Sequence, residues 1–480
     1  MISNLKIISL VSLFAVLSCK QIGSNIKAKE DFLTEKESIK DILENGVMYE
    51  ANIRQYSKEG TFEAFSKDIP QLKELGVKII WLMPIFPISK TKRKATGGQF
   101  VSEKPIEERE KYLGSYYAVS DFKKINPEFG TLKEFRNLVK IAHDNGMRVI
   151  LDWVPNHTGW DHIWLETHPE FYTKNEKREI SEPLNKDGSP LGWADVADLD
   201  YNSKTLRATM ISDMQHWLKN ENIDGFRCDV AGSVPVEFWK EAIPQLRAIK
   251  EIIMLAEAWE PELLDDVLFD MAYGWDRHHA INSIAHEAKA KEIWDSVYHK
   301  DNKRYQSNDI LLNFVTNHDE NSWNGTVKER LGNASEVCTV FSYLIPGMPL
   351  IYSGQEYGLN HRLKFFEKDS IPKVKGESWS LLSKLGTLKN NWEALHGGKK
   401  AARYESLDIE NPRIIAFKRL KNNQEIVFIG NFSRDSVMFK NTFKRNYINC
   451  LANLTIDLES DEISVPPYGY MLLERKKKKQ

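Results

Sequence analysis

Short, almost uniformly apolar runs recur along this chain, each followed by a stretch of helical character, and this alternation limits the fold more than any other feature. Val77 to Ile85 is the clearest such run. A strand apolar on both sides belongs in a parallel sheet covered on both faces. Strands are read at 47–54, 77–85, 147–154, 223–230, 252–258, 268–274, 310–316 and 348–353. Between the first two, residues 61–75 read as a helix with apolar Phe62, Phe65, Ile69, Leu72 and Leu75, interrupted near Pro70 and closed by Gly76. Thr131 opens another helix, with Glu134 three residues on as a capping box, and Gly146 ends it. Helices at 204–219 and 235–249 continue the alternation. The pattern predicts an α/β fold, a (β/α)8 TIM barrel, in which functional side chains gather where the strands end.

Two insertions leave the ends of predicted strands. Residues 88–115 follow the second strand, and 158–203, with Trp160, Trp164 and Trp193, follow the third as a small inserted domain. The barrel is therefore expected over 46–157 and 204–396. From 397 to 480 the pattern changes to β-type runs at 413–419, 425–430, 436–440 and 461–474, which predict a C-terminal antiparallel β-sandwich. At the other end, Lys6 is the only charge in residues 1–18, and the apolar run Ile7–Leu17 is too short to span a bilayer comfortably. That segment reads as an export signal, and residues 19–45 as a tether. A net charge of −2 argues against nucleic acid as the main partner. Cys19, Cys228, Cys338 and Cys450 show neither metal-ligand spacing nor a disulfide framework. No segment proposes an interface, so a monomer is expected.

Charged residues sit where apolar strands should end. Arg227 and Asp229 are two apart, so on a strand both leave the same face. Asp152, Asn156 and His157 end the third strand, Glu257 the fifth, and His318 and Asp319 the seventh. A barrel brings these ends to one mouth. Asp229, Glu257 and Asp319 together supply the parts for glycoside hydrolysis: an ionised carboxylate to attack the anomeric carbon, and a protonated one to release the leaving oxygen. Arg227 would hold Asp229 ionised, and the apolar run before Glu257 would raise its pKa. Each residue also has a plainer reading, as an internal ion pair, a satisfied core histidine or a buried carboxylate bonded to amides. Their order, always at predicted strand ends, favours a catalytic mouth. Trp160, Trp164, Trp259, Trp275 and Trp323 lie past strand ends as candidate sugar platforms, whereas Trp81 falls inside a strand and reads as core.

These stretches carry a family resemblance. DWVPNH, GFRCDVAG, LAEAW and FVTNHDEN resemble, in order, the four conserved regions of glycoside hydrolase family 13, the α-amylase family. VMYEANIRQY, YAVSDFKKINPEFGT and VADLDY support the likeness, which covers roughly 46–395. The resemblance implies Asp229 as nucleophile, Glu257 as general acid/base and Asp319 as the carboxylate that grips sugar hydroxyls. It implies Arg227 as partner of the nucleophile, His157 and His318 as sugar contacts, Asp152 as the structural aspartate and Tyr117 as a stacking platform. Retention of configuration would place the two working carboxyls about 5–5.5 Å apart. The implied substrate is an α-1,4-glucan such as starch. Cyclomaltodextrinase, neopullulanase, α-glucosidase and glucanotransferase activities, or a silent glycan-binding protein, stay open. No cofactor is required. A structural calcium would use Asn156 and Asp198, but Ala231-Gly232-Ser233 stands where a third ligand is common. Val16-Leu17-Ser18-Cys19 resembles a bacterial lipobox, which implies a lipid on Cys19 and a cell-envelope, outer-membrane location.

Overall fold

The computed structural model describes residues 37–475 apart from 186, 266–267, 287–288, 445 and 453–456. The export segment, Cys19 and the first part of the expected tether lie outside the described residues.

Eight strands form one closed barrel: β1 (Val47–Ala51), β2 (Val77–Leu82), β3 (Arg148–Trp153), β4 (Gly225–Cys228), β5 (Ile253–Ala256), β6 (Met271–Tyr273), β7 (Ile310–Asn313) and β8 (Met348–Tyr352). Every neighbouring pair is parallel and follows chain order, so β8 closes on β1. Both faces are dry, as the apolar runs require. Met48, Ile79, Ile150, Leu255, Met271 and Leu312 fill the interior, and helices cover the outside. The strands are shorter than the runs that announced them. Asp229 and Glu257 lie just beyond β4 and β5, which frees their side chains from the ladder and turns them to the mouth.

Local signals explain the connections. Pro70 divides the first helical stretch into Phe62–Ser66 and Ile69–Leu72, a 3-10 turn follows, and Gly76 stops it at φ 72°. Thr131 and Glu134 form the capping box of helix Leu132–Asp144. Gly225 is required by close approach: at φ 145°, a Cβ there would lie 1.9 Å from the Ile253 carbonyl oxygen of β5.

One expectation fails. Residues 39–45, read as the end of a tether, form helix Ile39–Asn45. Ile39 and Ile42 are buried against the barrel's interior residues, and burial of that apolar pair fixes the segment.

The two insertions are tied together. His157–Gly159 pairs antiparallel with Val196–Asp198. Lys94, in the first insertion, makes an ion pair with Asp195 at 2.9 Å, and the Lys90 and Thr91 N–H groups donate to Asp161. The first insertion also meets the segment before the last barrel helix, where Leu113 N–H donates to Phe366 O at 2.7 Å. Past the barrel, strands 403–407, 414–421, 424–431, 470–475 and 447–452 form a five-stranded antiparallel sheet. A two-stranded sheet, Val437–Lys440 with Glu462–Val465, shares a core with it through Val427, Ile429, Phe439 and Val465. Phe417 and Phe428 on the opposite face meet Phe341 of a barrel helix.

Candidate active site

The mouth is built on Arg227, which is fully buried on β4. Its register partner on β3 is Asp152. Nη1 donates to Asp152 Oδ1 at 2.8 Å and to Asp229 Oδ1 at 2.9 Å, while Nη2 lies 2.8 Å from Glu257 Oε2. A guanidinium can serve this many acceptors because its donors lie in a fixed planar fork. Trp81, fully buried on β2, donates from Nε1 to Asp152 Oδ2 at 3.1 Å, and so does the Tyr117 hydroxyl. Asp152 is thus a pivot for Arg227 and Tyr117, and burial pushes its carboxyl up to about 6 against the pull of Arg227.

Immediately after Asp229 the chain makes a strained turn. Val230 has φ 45° and ψ 40°, a left-handed conformation that a β-branched residue rarely adopts. The turn aims its N–H at Glu257 Oε2, 3.0 Å away. Here the groups around the two carboxyls act against the ordering expected from sequence. Burial pushes Asp229 up; Arg227 offsets this only in part, and the charges of Glu257 and Asp152 push it further. Burial also acts on Glu257, but Arg227 and the Val230 N–H outweigh it and hold that carboxyl below its usual range. The reason is the split fork: Arg227 faces Glu257 as closely as Asp229. Asp229 and Glu257 thus sit on the two terminal nitrogens of one guanidinium, 2.9 Å and 2.8 Å from it.

His318 and Asp319 follow β7. His318 is buried, with Nε2 2.8 Å from Tyr117 Oη and 3.5 Å from Asp319 Oδ2, and its ring stacks on Tyr117. Its Nδ1 meets Glu50 on β1. Burial would lower this histidine, but Asp319 and Glu50 outweigh it and raise it to about 9. Asp319 leads into a π-helical turn, Glu320–Asn324, anchored where Glu320 pairs with His278 and Arg330. That turn lifts Trp323 to the rim, half exposed. His157 is held neutral by burial, down to about 4, and packs edge-on to Trp193.

These side chains enclose a cavity of about 500 Å³. Asp229, Glu257, Asp319, Tyr117, His157 and His318 all line it, with Arg227 and Asp152 beneath. Of the candidate platforms, Trp259, Trp275 and Trp323 line it, as does Trp193. Trp160 instead lies under Lys92, and Trp164 is buried against Phe122 and His162. The sequence reading passed over Glu50, Lys94 and the pair Phe365-Phe366. Phe365 stacks parallel to Tyr117 and touches Trp323. A doubled phenylalanine in a polar stretch, and a glutamate inside an apolar strand, were the available signals.

Calcium takes six to eight oxygen ligands. Leu199 N–H donates to the Asn156 carbonyl, which brings the Asn156 and Asp198 backbones together. The Asn156 amide, however, is turned to His157 Nδ1 at 3.3 Å. Burial pushes Asp198 up to about 6. Among the described residues no three His, Cys, Asp or Glu side chains form a metal-binding group.

Comparison with known proteins agrees with this geometry. An α-amylase of Haloarcula japonica is 24% identical over 82% of this chain, which spans 56% of that relative's length. A cyclomaltodextrinase of Thermoanaerobacter pseudethanolicus is 25% identical over 80% of this chain and 65% of its own length. The crystal structure of an α-amylase from Lactobacillus plantarum superposes with a TM-score of 0.75 at 27% identity, covering 90% of this chain and 98% of the other. The model of the α-amylase catalytic domain matches residues 36–381, and the chain therefore belongs to the α-amylase family of glycoside hydrolases.

Proposed function

We propose that this chain is a retaining glycoside hydrolase that cleaves α-1,4-glucosidic bonds in starch and maltooligosaccharides. The observation that carries the reading is the Asp229–Glu257 pair on one buried arginine, with Asp319 across an aromatic-lined cavity. A sugar seated between Tyr117 and Asp319 presents its anomeric carbon to Asp229 and its leaving oxygen to Glu257. A proton is then needed on Glu257. A leaving oxygen that draws Glu257 away from Arg227 and the Val230 N–H removes the two contacts that hold it ionised, and Arg227 is left to Asp229 and Asp152. The proton passes to the leaving oxygen as Asp229 forms a covalent bond to the anomeric carbon. Water, deprotonated by Glu257, then releases the sugar with its configuration retained.

A time course of products from amylose, pullulan, cyclodextrin and maltoheptaose tests this. Mixed short maltooligosaccharides appearing early from amylose support an endo-acting α-amylase. Panose from pullulan, or cyclodextrin consumed faster than amylose, moves the activity to the cyclomaltodextrinase type. No products, with glucan binding retained, overturns the enzymatic reading. Residues 7–19 support a second element of the proposal, lipid attachment at Cys19 and retention at the cell envelope. Radiolabelled palmitate incorporation that persists in a Cys19→Ser variant would refute it.

A further inference from the structure

Glu50 lies wholly inside the barrel. It is 0% exposed on β1, with Trp81 of β2 and Tyr352 of β8 as its register partners. Its Oε1 meets His318 Nδ1, and its Oε2 has no protein partner. A buried carboxylate with half its acceptor capacity empty is costly unless a cation faces it. The group Glu50 faces is His318, whose other nitrogen contacts Tyr117 and Asp319 at the cavity.

We propose that Glu50 is a positioning residue: from below the mouth it fixes His318 as an imidazolium, with Nε2–H presented beside Tyr117 and Asp319 to the substrate hydroxyls. The proposal rests on the reading of His318 and Asp319 as the sugar-gripping end of the site. Without Glu50, the Nδ1 proton has no acceptor at that position, and the ring is free to become neutral or to turn. A neutral ring with its proton on Nδ1 offers Asp319 a lone pair where it had offered a charge. The other groups around the ring act in both directions. Arg227 from β4 disfavours the imidazolium, while Asp152 from β3, Glu257 after β5 and the neighbouring Asp319 favour it. Trp81 meets the ring edge-on at 6.0 Å and Tyr117 stacks on it at 5.4 Å. Glu50 is the carboxylate in contact with Nδ1, so the ring's orientation depends on it and not on the summed charge alone.

Glu50→Gln keeps the shape and removes the charge. kcat/KM on maltoheptaose is measured from pH 5 to pH 9 for both proteins. The ratio of the value at pH 5.5 to that at pH 8 should be about tenfold higher in the variant than in the wild type, the change expected when a required proton held at about 9 is held two pKa units less tightly. A profile of unchanged shape overturns the proposal, even if the variant is slower at every pH. Nitrogen-15 NMR of histidine-labelled protein supplies an arm that needs neither turnover nor a folded variant at position 50. The His318 signals, identified by their loss in His318→Gln, should report an imidazolium at pH 8 in the wild type. A neutral ring there overturns the proposal. If the chain proves inactive on glucans, an imidazolium at pH 8 that becomes neutral in Glu50→Gln still supports the hold of Glu50 on His318, so failure of the functional reading is distinguishable from failure of this one.

Discussion

Replacing Arg227 by alanine removes the cation that three buried carboxyls share. Its nitrogens lie 2.8 Å from Asp152, 2.9 Å from Asp229 and 2.8 Å from Glu257, and its own side chain is fully buried. Breaking a buried ion pair by deleting one partner costs about 3–5 kcal/mol. The carboxyls can relieve part of this by taking up protons, so the loss must depend on pH. A carboxyl whose folded pKa lies above its unfolded value of about 3.9 contributes stability that is present below that value and lost as pH rises through the folded one. Asp152 already sits at about 6 and Asp229 is raised with the arginine in place. Without it both rise further, and each added unit withdraws about 1.4 kcal/mol above the new pKa. The deficit should therefore be about 3–5 kcal/mol at pH 8 and roughly 1–2 kcal/mol at pH 5, where lost hydrogen bonds remain. Urea unfolding of both proteins at the two pH values, followed by tryptophan fluorescence, measures it. Arg227→Met, which restores most of the volume, should keep the pH dependence. Deficits equal within about 0.5 kcal/mol at both pH values would mean that lost packing, not stranded charge, is the cause.

Three further outcomes are expected. Glu257→Gln should lose about 10²- to 10⁴-fold on amylose but far less on α-glucosyl fluoride, whose leaving group needs no proton; equal losses on both would remove Glu257 from the acid role. His162 is pushed down to about 4 by burial; its stabilising effect is present above the unfolded value of about 6.5 and lost as pH falls from there to 4, up to roughly 3 kcal/mol. In His162→Asn the fall in unfolding free energy across that window should be smaller than in the wild type, and an unchanged slope would contradict the assignment. Gly225→Ala should destabilise by more than about 3 kcal/mol or abolish soluble expression, because the new Cβ meets the Ile253 backbone at 1.9 Å and the φ of 145° is strained for alanine; a melting temperature near that of the wild type would refute this.

The barrel was legible because strands dry on both faces leave few other architectures. The carboxylates were legible because Arg227, Asp229 and Glu257 interrupt or end apolar runs, where a charge has a purpose or a price. The proton balance of the pair was not. Sequence puts Arg227 beside Asp229, two residues away, but only the packing of β4 against β5 and the left-handed turn at Val230 bring Glu257 to the same fork. Glu50 escaped notice for the same reason, since its partner is 268 positions away. The tryptophans could not be sorted from sequence because Trp160 and Trp323 both follow strand ends, and only the π-turn after Asp319 carries one of them to the cavity. Helix 39–45 was missed because seven residues carry too little periodicity to outweigh their polar surroundings.

The most direct test asks where the sugar becomes attached. A 5-fluoro-α-glucosyl fluoride has a leaving group that departs without acid assistance, and its ring fluorine slows hydrolysis of the intermediate. Intact mass after incubation should show one glucosyl adduct, and peptide mapping should place it on Asp229, with no adduct in Asp229→Asn. An adduct on Asp319 or Glu257, or turnover of the reagent by Asp229→Asn at the wild-type rate, would contradict the assignment of Asp229 as the nucleophile.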